Sequence, residues 1–220
     1  SSGTFASERP FDLTFQNGVV DPTFTPAIGF SGALFGAVQQ QDGKLIVVGR
    51  FGNINGVSQL NIARLLPSGA VDTTFIPPVI IDSITVLTLQ PDGKILVSHR
   101  HIVAGVSRDK IVRLNTDGSL DSSFGSGVGT NGLSIRSMFV LHDGDILVAG
   151  EFSNYNGVNR RGLVRLNQDG SVDQSFTTES GDSGDTINSV IEASDGSIFV
   201  GGRFTRIGGV FRNGIAKLDF

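Results

Sequence analysis

The sequence predicts an all-β fold: a small four-bladed β-propeller of four repeats of about 50 residues, its ring closed by an N-terminal strand. Three observations carry this. The phrase Asp169-Gly170-Ser171-Val172-Asp173-Gln174-Ser175-Phe176 recurs at residues 117–124, and more loosely at 68–75 and 17–24. Its glycines, Gly18, Gly69, Gly118 and Gly170, therefore fall 51, 49 and 52 residues apart. A second phrase, Gln41-Asp42-Gly43-Lys44-Leu45-Ile46-Val47-Val48-Gly49-Arg50-Phe51, recurs at residues 91–101, 142–152 and 194–204. Finally, no stretch sustains a 3.6-residue apolar period, and β-branched residues fill the apolar runs.

The elements follow in chain order. Residues 1–10 are small and polar and read as an arm preceding one domain over 11–220. The repeats run at about 25–75, 76–124, 125–176 and 177–220. Each opens with a first β run (34–40, 84–90, 135–141, 187–193) and a two-residue Asp-Gly turn, a strong hairpin signal because both residues tolerate positive φ. The next run is the most apolar of the repeat, for example Leu45-Ile46-Val47-Val48 and Ile146-Leu147-Val148, as suits a strand covered on both faces. A loop around Asn55-Gly56-Val57 and its counterparts turns the chain back into a third run, 62–65, 111–114, 163–166 and 215–218. The glycine phrase then supplies a turn and a short fourth strand. The fourth repeat stops before its own copy of that phrase, whereas residues 17–24 carry a spare one. Docking 17–24 onto the last blade would cover its unpaired edge and close the ring.

Composition narrows the function classes. The chain has 220 residues, 39% hydrophobic and 17% charged, with a net charge of −4. That charge gives no electrostatic footprint for nucleic acid or an anionic membrane. It has no cysteine, hence no disulfide framework or thiolate chemistry, and no apolar run long enough for membrane insertion as a helix. Beginning at Ser1 without a visible signal peptide, it reads as a processed protein or a piece of a longer one.

The consensus formed by residues 90–97 with Val112-Arg113-Leu114-Asn115-Thr116-Asp117-Gly118-Ser119-Leu120-Asp121-Ser122-Ser123-Phe124 resembles the delta-60 repeat family. Over about 200 residues, that resemblance implies a propeller-like fold in bacterial secreted and surface proteins or phage proteins. It implies no activity and no catalytic residues.

Several spellings of chemistry fail on context. Gly181-Asp182-Ser183-Gly184-Asp185 resembles the nucleophile segment of trypsin-like proteases but departs at its fifth residue, and no histidine motif of that family accompanies it. Gly127-Val128-Gly129-Thr130-Asn131-Gly132 has dinucleotide-loop spacing, but a β run follows it where a helix is required. His99 and His101 occupy columns that hold Gly and Phe in the other repeats; two imidazoles are short of a zinc site, and divergence of one blade is the simpler reading. The aspartate column Asp21, Asp72, Asp121, Asp173 lacks calcium-loop spacing and reads as turn caps paired with the basic column Arg64, Arg113, Arg165, Lys217.

No catalytic residue, metal ligand or cofactor is therefore assigned. The expected function is a non-enzymatic structural or interaction module on a bacterial surface or virion, contacting a protein partner or a second copy. A glycan-binding propeller is the alternative, disfavoured by the scarcity of Tyr and Trp for stacking. Contacts are expected on the loops joining second and third strands, at Asn55, Arg108, Tyr155, Arg160, Arg161, Phe211 and Arg212.

Overall fold

The computed structural model describes residues 31–54, 56–78, 83–125, 127–132, 134–181 and 184–219, and of Val103 the backbone only. In the first repeat, β1 (Ala33–Gln39) pairs with β2 (Leu45–Arg50), a short ribbon of β3 (Asn53–Ile54) and β4 (Val57–Ser58) follows, and β5 (Ile62–Leu65) returns beside β2. The second has β6 (Ile84–Leu89), β7 (Ile95–Val103) and β8 (Val106–Leu114). The third repeats the first with β9 (Ile135–Val140), β10 (Ile146–Gly150), the ribbon β11 (Asn154–Tyr155) and β12 (Val158–Asn159), and β13 (Leu163–Leu166). The fourth does so again with β14 (Thr186–Glu192), β15 (Ile198–Arg203), β16 (Arg206–Ile207), β17 (Val210–Phe211) and β18 (Ile215–Leu218). All pairings are antiparallel, and no described residue is helical.

Among the described residues each main sheet has three strands where four were expected. The glycine phrase does run back beside the third strand, but it pairs only through single bridges, Leu65 with Val71, Leu114 with Leu120 and Leu166 with Val172. Its aspartate bends the chain away at once: Asp121 Oδ1 accepts from the backbone N–H and the hydroxyl of Ser123, and this local turn competes with the ladder.

The sheets stack in series, and strand alternation divides each into two apolar faces. The face pointing onward along the array carries Ile46, Val48 and Ile62 in sheet 1, Leu96 and Ile111 in sheet 2, and Leu147, Ala149 and Leu163 in sheet 3. Each set is buried in one cluster with the backward face of the next sheet, such as Ile95, Val97 and Val112 of sheet 2. Fully burying an aliphatic side chain of this size stabilises by about 1.5–3 kcal/mol, so these three interfaces hold the array together. Among the described residues the series stays open. Sheet 4 shares no apolar cluster with sheet 1, whose backward-face residues Val47, Ala63 and Leu65 form a cluster within their own repeat. The expected closing strand, residues 17–24, lies outside the described residues, as does the arm 1–10.

The second repeat departs from the others. Three repeats leave the sheet after the second strand and re-enter through a left-handed residue, Asn61 (φ 63°), Gly162 (φ 71°) or Gly214 (φ 80°). Lys110 holds that column in repeat 2 and lies in regular strand, so β7 and β8 continue as one straight nine-pair hairpin. Its tip, like those of the ribbons in repeats 3 and 4, is a two-residue turn with both φ positive: Ala104 (50°) and Gly105 (79°), matching Asn156 (51°) and Gly157 (85°).

Candidate interaction surface

The recurring Arg, Asp and Phe columns lock the first three repeats to one another. Asp121 is buried and accepts from Lys94 Nζ at 2.8 Å and Arg113 Nε at 2.8 Å. Arg113 Nη1 donates onward to the Gln168 carbonyl of the third repeat at 2.6 Å, and its guanidinium carbon lies 4.8 Å from the centroid of Phe124. The first repeat uses the same parts: Arg64 donates to Asp72 at 2.9 Å and to the Thr116 carbonyl at 2.5 Å, 5.0 Å from the Phe75 centroid. The hydrogen bond from Lys94, then those from Ser123, hold the Asp121 carboxyl far below the usual carboxylate range. Burial acts against ionisation of Asp72, but the hydrogen bonds from Thr74 and Lys44 outweigh it and its pKa is also strongly lowered. Asp72, Asp121 and Asp173 each cap their own turn, and Asp72 and Asp121 are also ion-pair partners; Asp21 lies outside the described residues.

The lock loosens along the chain. Asp145 stands in repeat 3 where Lys44 and Lys94 stand in repeats 1 and 2. It accepts from Arg165 Nε at 2.9 Å while Asp143 accepts from Nη2 at 2.5 Å, and Asp173 is left at 3.7 Å. In repeat 4, Lys217 reaches only the exposed Asp195 and Asp219, at 3.5 and 3.7 Å.

The expected contact residues divide sharply. Tyr155 is 1% exposed, packed with Phe152 in the cluster between sheets 2 and 3, and hydrogen-bonded to the Ile111 backbone. Burial pushes its hydroxyl well above the usual tyrosine range. It is a core residue and offers nothing to a partner. The apolar column was the missed signal: Ile54 and Ile207 hold the equivalent places and are equally buried. Arg108 and Arg161 are half-buried and donate to the Thr130 and Gly181 carbonyls at 2.6 and 2.7 Å. Arg160, also half-buried, donates to the Asn159 and Gln174 carbonyls. These three arginines fasten loops. Phe211, 63% exposed, and Arg212 do project from the fourth repeat's ribbon. Asn55 lies outside the described residues, as do Asp182 and Ser183 of the protease-like segment.

A surface absent from that expectation lies on the same repeat. Phe199 and Ile215 occupy the onward-facing columns buried in sheets 1 to 3, yet they are 36% and 65% exposed. Ile191, Val210 and Phe211 add further exposed apolar side chains from repeat 4. By strand register Ile191, Phe199 and Ile215 share one face, and exposed apolar patches mark contact surfaces in soluble proteins.

The repeat model described as "Domain of unknown function (DUF5122) beta-propeller" matches residues 40–75, 90–124, 142–176 and 193–219. The chain belongs to this DUF5122 beta-propeller family. The match covers the second phrase and third strand of every repeat and the glycine phrase of the first three, leaving out the first strand of each sheet. It supports the propeller-like repeat reading without naming the delta-60 type. No curated protein matches the sequence. Among solved structures, the DUF5122 chain is similar to the extracellular domain of a one component system from B. thetaiotaomicron (13% identity, TM-score 0.50), over 85% of this chain and 21% of that one. It spans about a fifth of that protein, and the likeness shows the fold alone. A glycosyl hydrolase from Bacteroides ovatus also matches, with 15% identity and a TM-score of 0.36 over 86% of this chain and 66% of that one.

Proposed function

We propose that this chain is a non-enzymatic interaction module displayed at a bacterial or virion surface. Its four sheets act as four propeller blades of the delta-60 type, and the fourth makes protein–protein contacts. The carrying observation is the onward face of sheet 4: Ile215 is 65% exposed, whereas Ile62, Ile111 and Leu163 in the same column are fully buried. In the first two blades the repeated Arg and Asp groups are consumed in locking each sheet to the next, which leaves what differs between blades for binding. The fold-level likeness to an extracellular domain agrees with an exposed setting.

The partner is a second copy of this chain. Two onward faces related by a two-fold axis are self-complementary, and each is apolar, as a stable homodimer core is. Sheet 1's backward face is already buried, so a head-to-tail filament would have to uncover it first. Sedimentation across a wide concentration range tests this. The wild-type chain should associate into dimers, and Ile215→Lys should remain monomeric with nearly unchanged melting. Association that survives Ile215→Lys, or a wild type that is monomeric throughout, would overturn the reading.

A further inference from the structure

The interface between sheets 1 and 2 differs from the other two in a way that the sheet-to-sheet locks do not require. A cavity of about 590 Å³ opens there, lined by Arg50, Asn61, Ser83, Arg100, His101, Ile102 and Ser107. That volume lies within the roughly 300–1,000 Å³ typical of small-molecule sites. It exists because His101 stands where Phe152 and Phe204 fill the equivalent space between the later sheets.

Apart from Arg100, which donates to Asp109 and to Ser134, its polar side chains are unspent. Every other described arginine donates to a carboxylate, hydroxyl, amide or carbonyl; Arg50 alone has no hydrogen bond or ion pair among the described residues. The side chains of Asn61, Ser83 and Ser107 likewise make no hydrogen bond there. Nδ1 of His101 is buried without a partner, as is Nδ1 of His99 two residues before it, whose ring centroid lies 5.7 Å away. Buried polar atoms usually find partners, so two orphan imidazole nitrogens beside one cavity call for an explanation.

The backbone adds a second sign. Ser83 holds φ at 41°, although its column needs no such conformation: Ser134 of repeat 3 is not left-handed. A left-handed conformation is unfavourable for a non-glycine residue, and such strain gathers at ligand sites.

We propose that this cavity binds a small hydroxylated organic anion through its carboxylate. Arg50 supplies the charge, as a planar fork suited to bidentate recognition. No carboxylate of the described residues lines the cavity to compete for it. His101, Asn61, Ser83 and Ser107 supply directional contacts to hydroxyls, and Ile102 an apolar wall. A metal cation is disfavoured by the same arginine.

Calorimetric titration with D-glucuronate tests it, with D-glucose and inorganic phosphate as comparison arms. Saturable glucuronate binding is expected, with glucose at least tenfold weaker. Arg50→Gln should weaken glucuronate at least tenfold. His101→Phe, which restores the residue of the sibling repeats and should leave melting intact, should do the same. Equal binding of glucose would refute the anion requirement, and binding of phosphate without glucuronate would refute the organic carboxylate. Absence of all binding, or full binding by a folded Arg50→Gln protein, would overturn the site.

Discussion

The ring of Phe124, at the end of one glycine phrase, rests on Gly170 at the start of the next. A Cβ placed on Gly170 would come within 2.8 Å of the ring's Cζ, and Gly170 itself has φ of 87°. Gly125 N–H then donates to the Asp169 carbonyl at 2.6 Å. Phe75 makes the same contact with Gly118, 3.0 Å from such a Cβ. The copy at 117–124 is thus both the seat of the preceding ring, through Gly118, and the donor of a ring to the next copy, through Phe124.

Gly170→Ala should therefore destabilise by about 2–3 kcal/mol, from left-handed strain and displacement of Phe124 together. Gly157→Ala, also at positive φ but in open space, should cost only the strain, about 1 kcal/mol. Urea denaturation of both variants gives the comparison. Equal losses would mean that Phe124 yields freely and that the seat is not part of the lock.

The aspartate column should be graded. Asp121→Ala removes the partner of buried Arg113 and of Lys94, and should cost about 3 kcal/mol. Asp173→Ala should cost under about 1 kcal/mol, because Arg165 is already held by Asp143 and Asp145. Melting of the two proteins side by side decides it, and similar losses would contradict the role given to Asp145.

Acid should expose the same ion pairs. Asp72 and Asp121 have folded pKa values lowered below those of the unfolded chain. Their contribution is fully present above the unfolded value of about 3.9 and is lost as pH falls below it toward the folded values. The melting temperature should be nearly flat above about pH 5 and fall steeply below about pH 4. The double variant Asp72→Asn, Asp121→Asn should start lower and fall less. A parallel fall in both proteins would assign the acid sensitivity elsewhere.

Much of this architecture was legible in the sequence because the repeat imposes the same physical problem on each blade. The Asp-Gly turns, the apolar second strands and the Arg–Asp columns all appear where the spacing places them. The fourth strand was overread: an aspartate that caps its own turn, as Asp121 does, shortens the ladder to one bridge. The straight hairpin of repeat 2 was written in two columns, His99 for a glycine and Lys110 for a left-handed residue, but only the first was noticed as unusual. Its Cβ matters because one at Gly150 would lie 2.2 Å from the Ser134 carbonyl oxygen. Tyr155 was misplaced because residue type was weighed above column, and its column is aliphatic core. The exposed face of sheet 4 was not legible at all. Ile215 looks in sequence like any buried third-strand residue, yet no described sheet packs on its face.

The lack of cysteine permits one direct measurement of the central claim. Single-cysteine variants at the same onward column, Ile62→Cys, Ile111→Cys, Leu163→Cys and Ile215→Cys, can each be reacted with a maleimide under native, dilute conditions. The account predicts rapid labelling at position 215 alone, slowing as concentration rises and copies associate, with the other three reacting only on unfolding. A residue 215 thiol as protected as the others at every dilution would show that the face of sheet 4 is covered within the chain, and the interaction surface proposed on it would not exist.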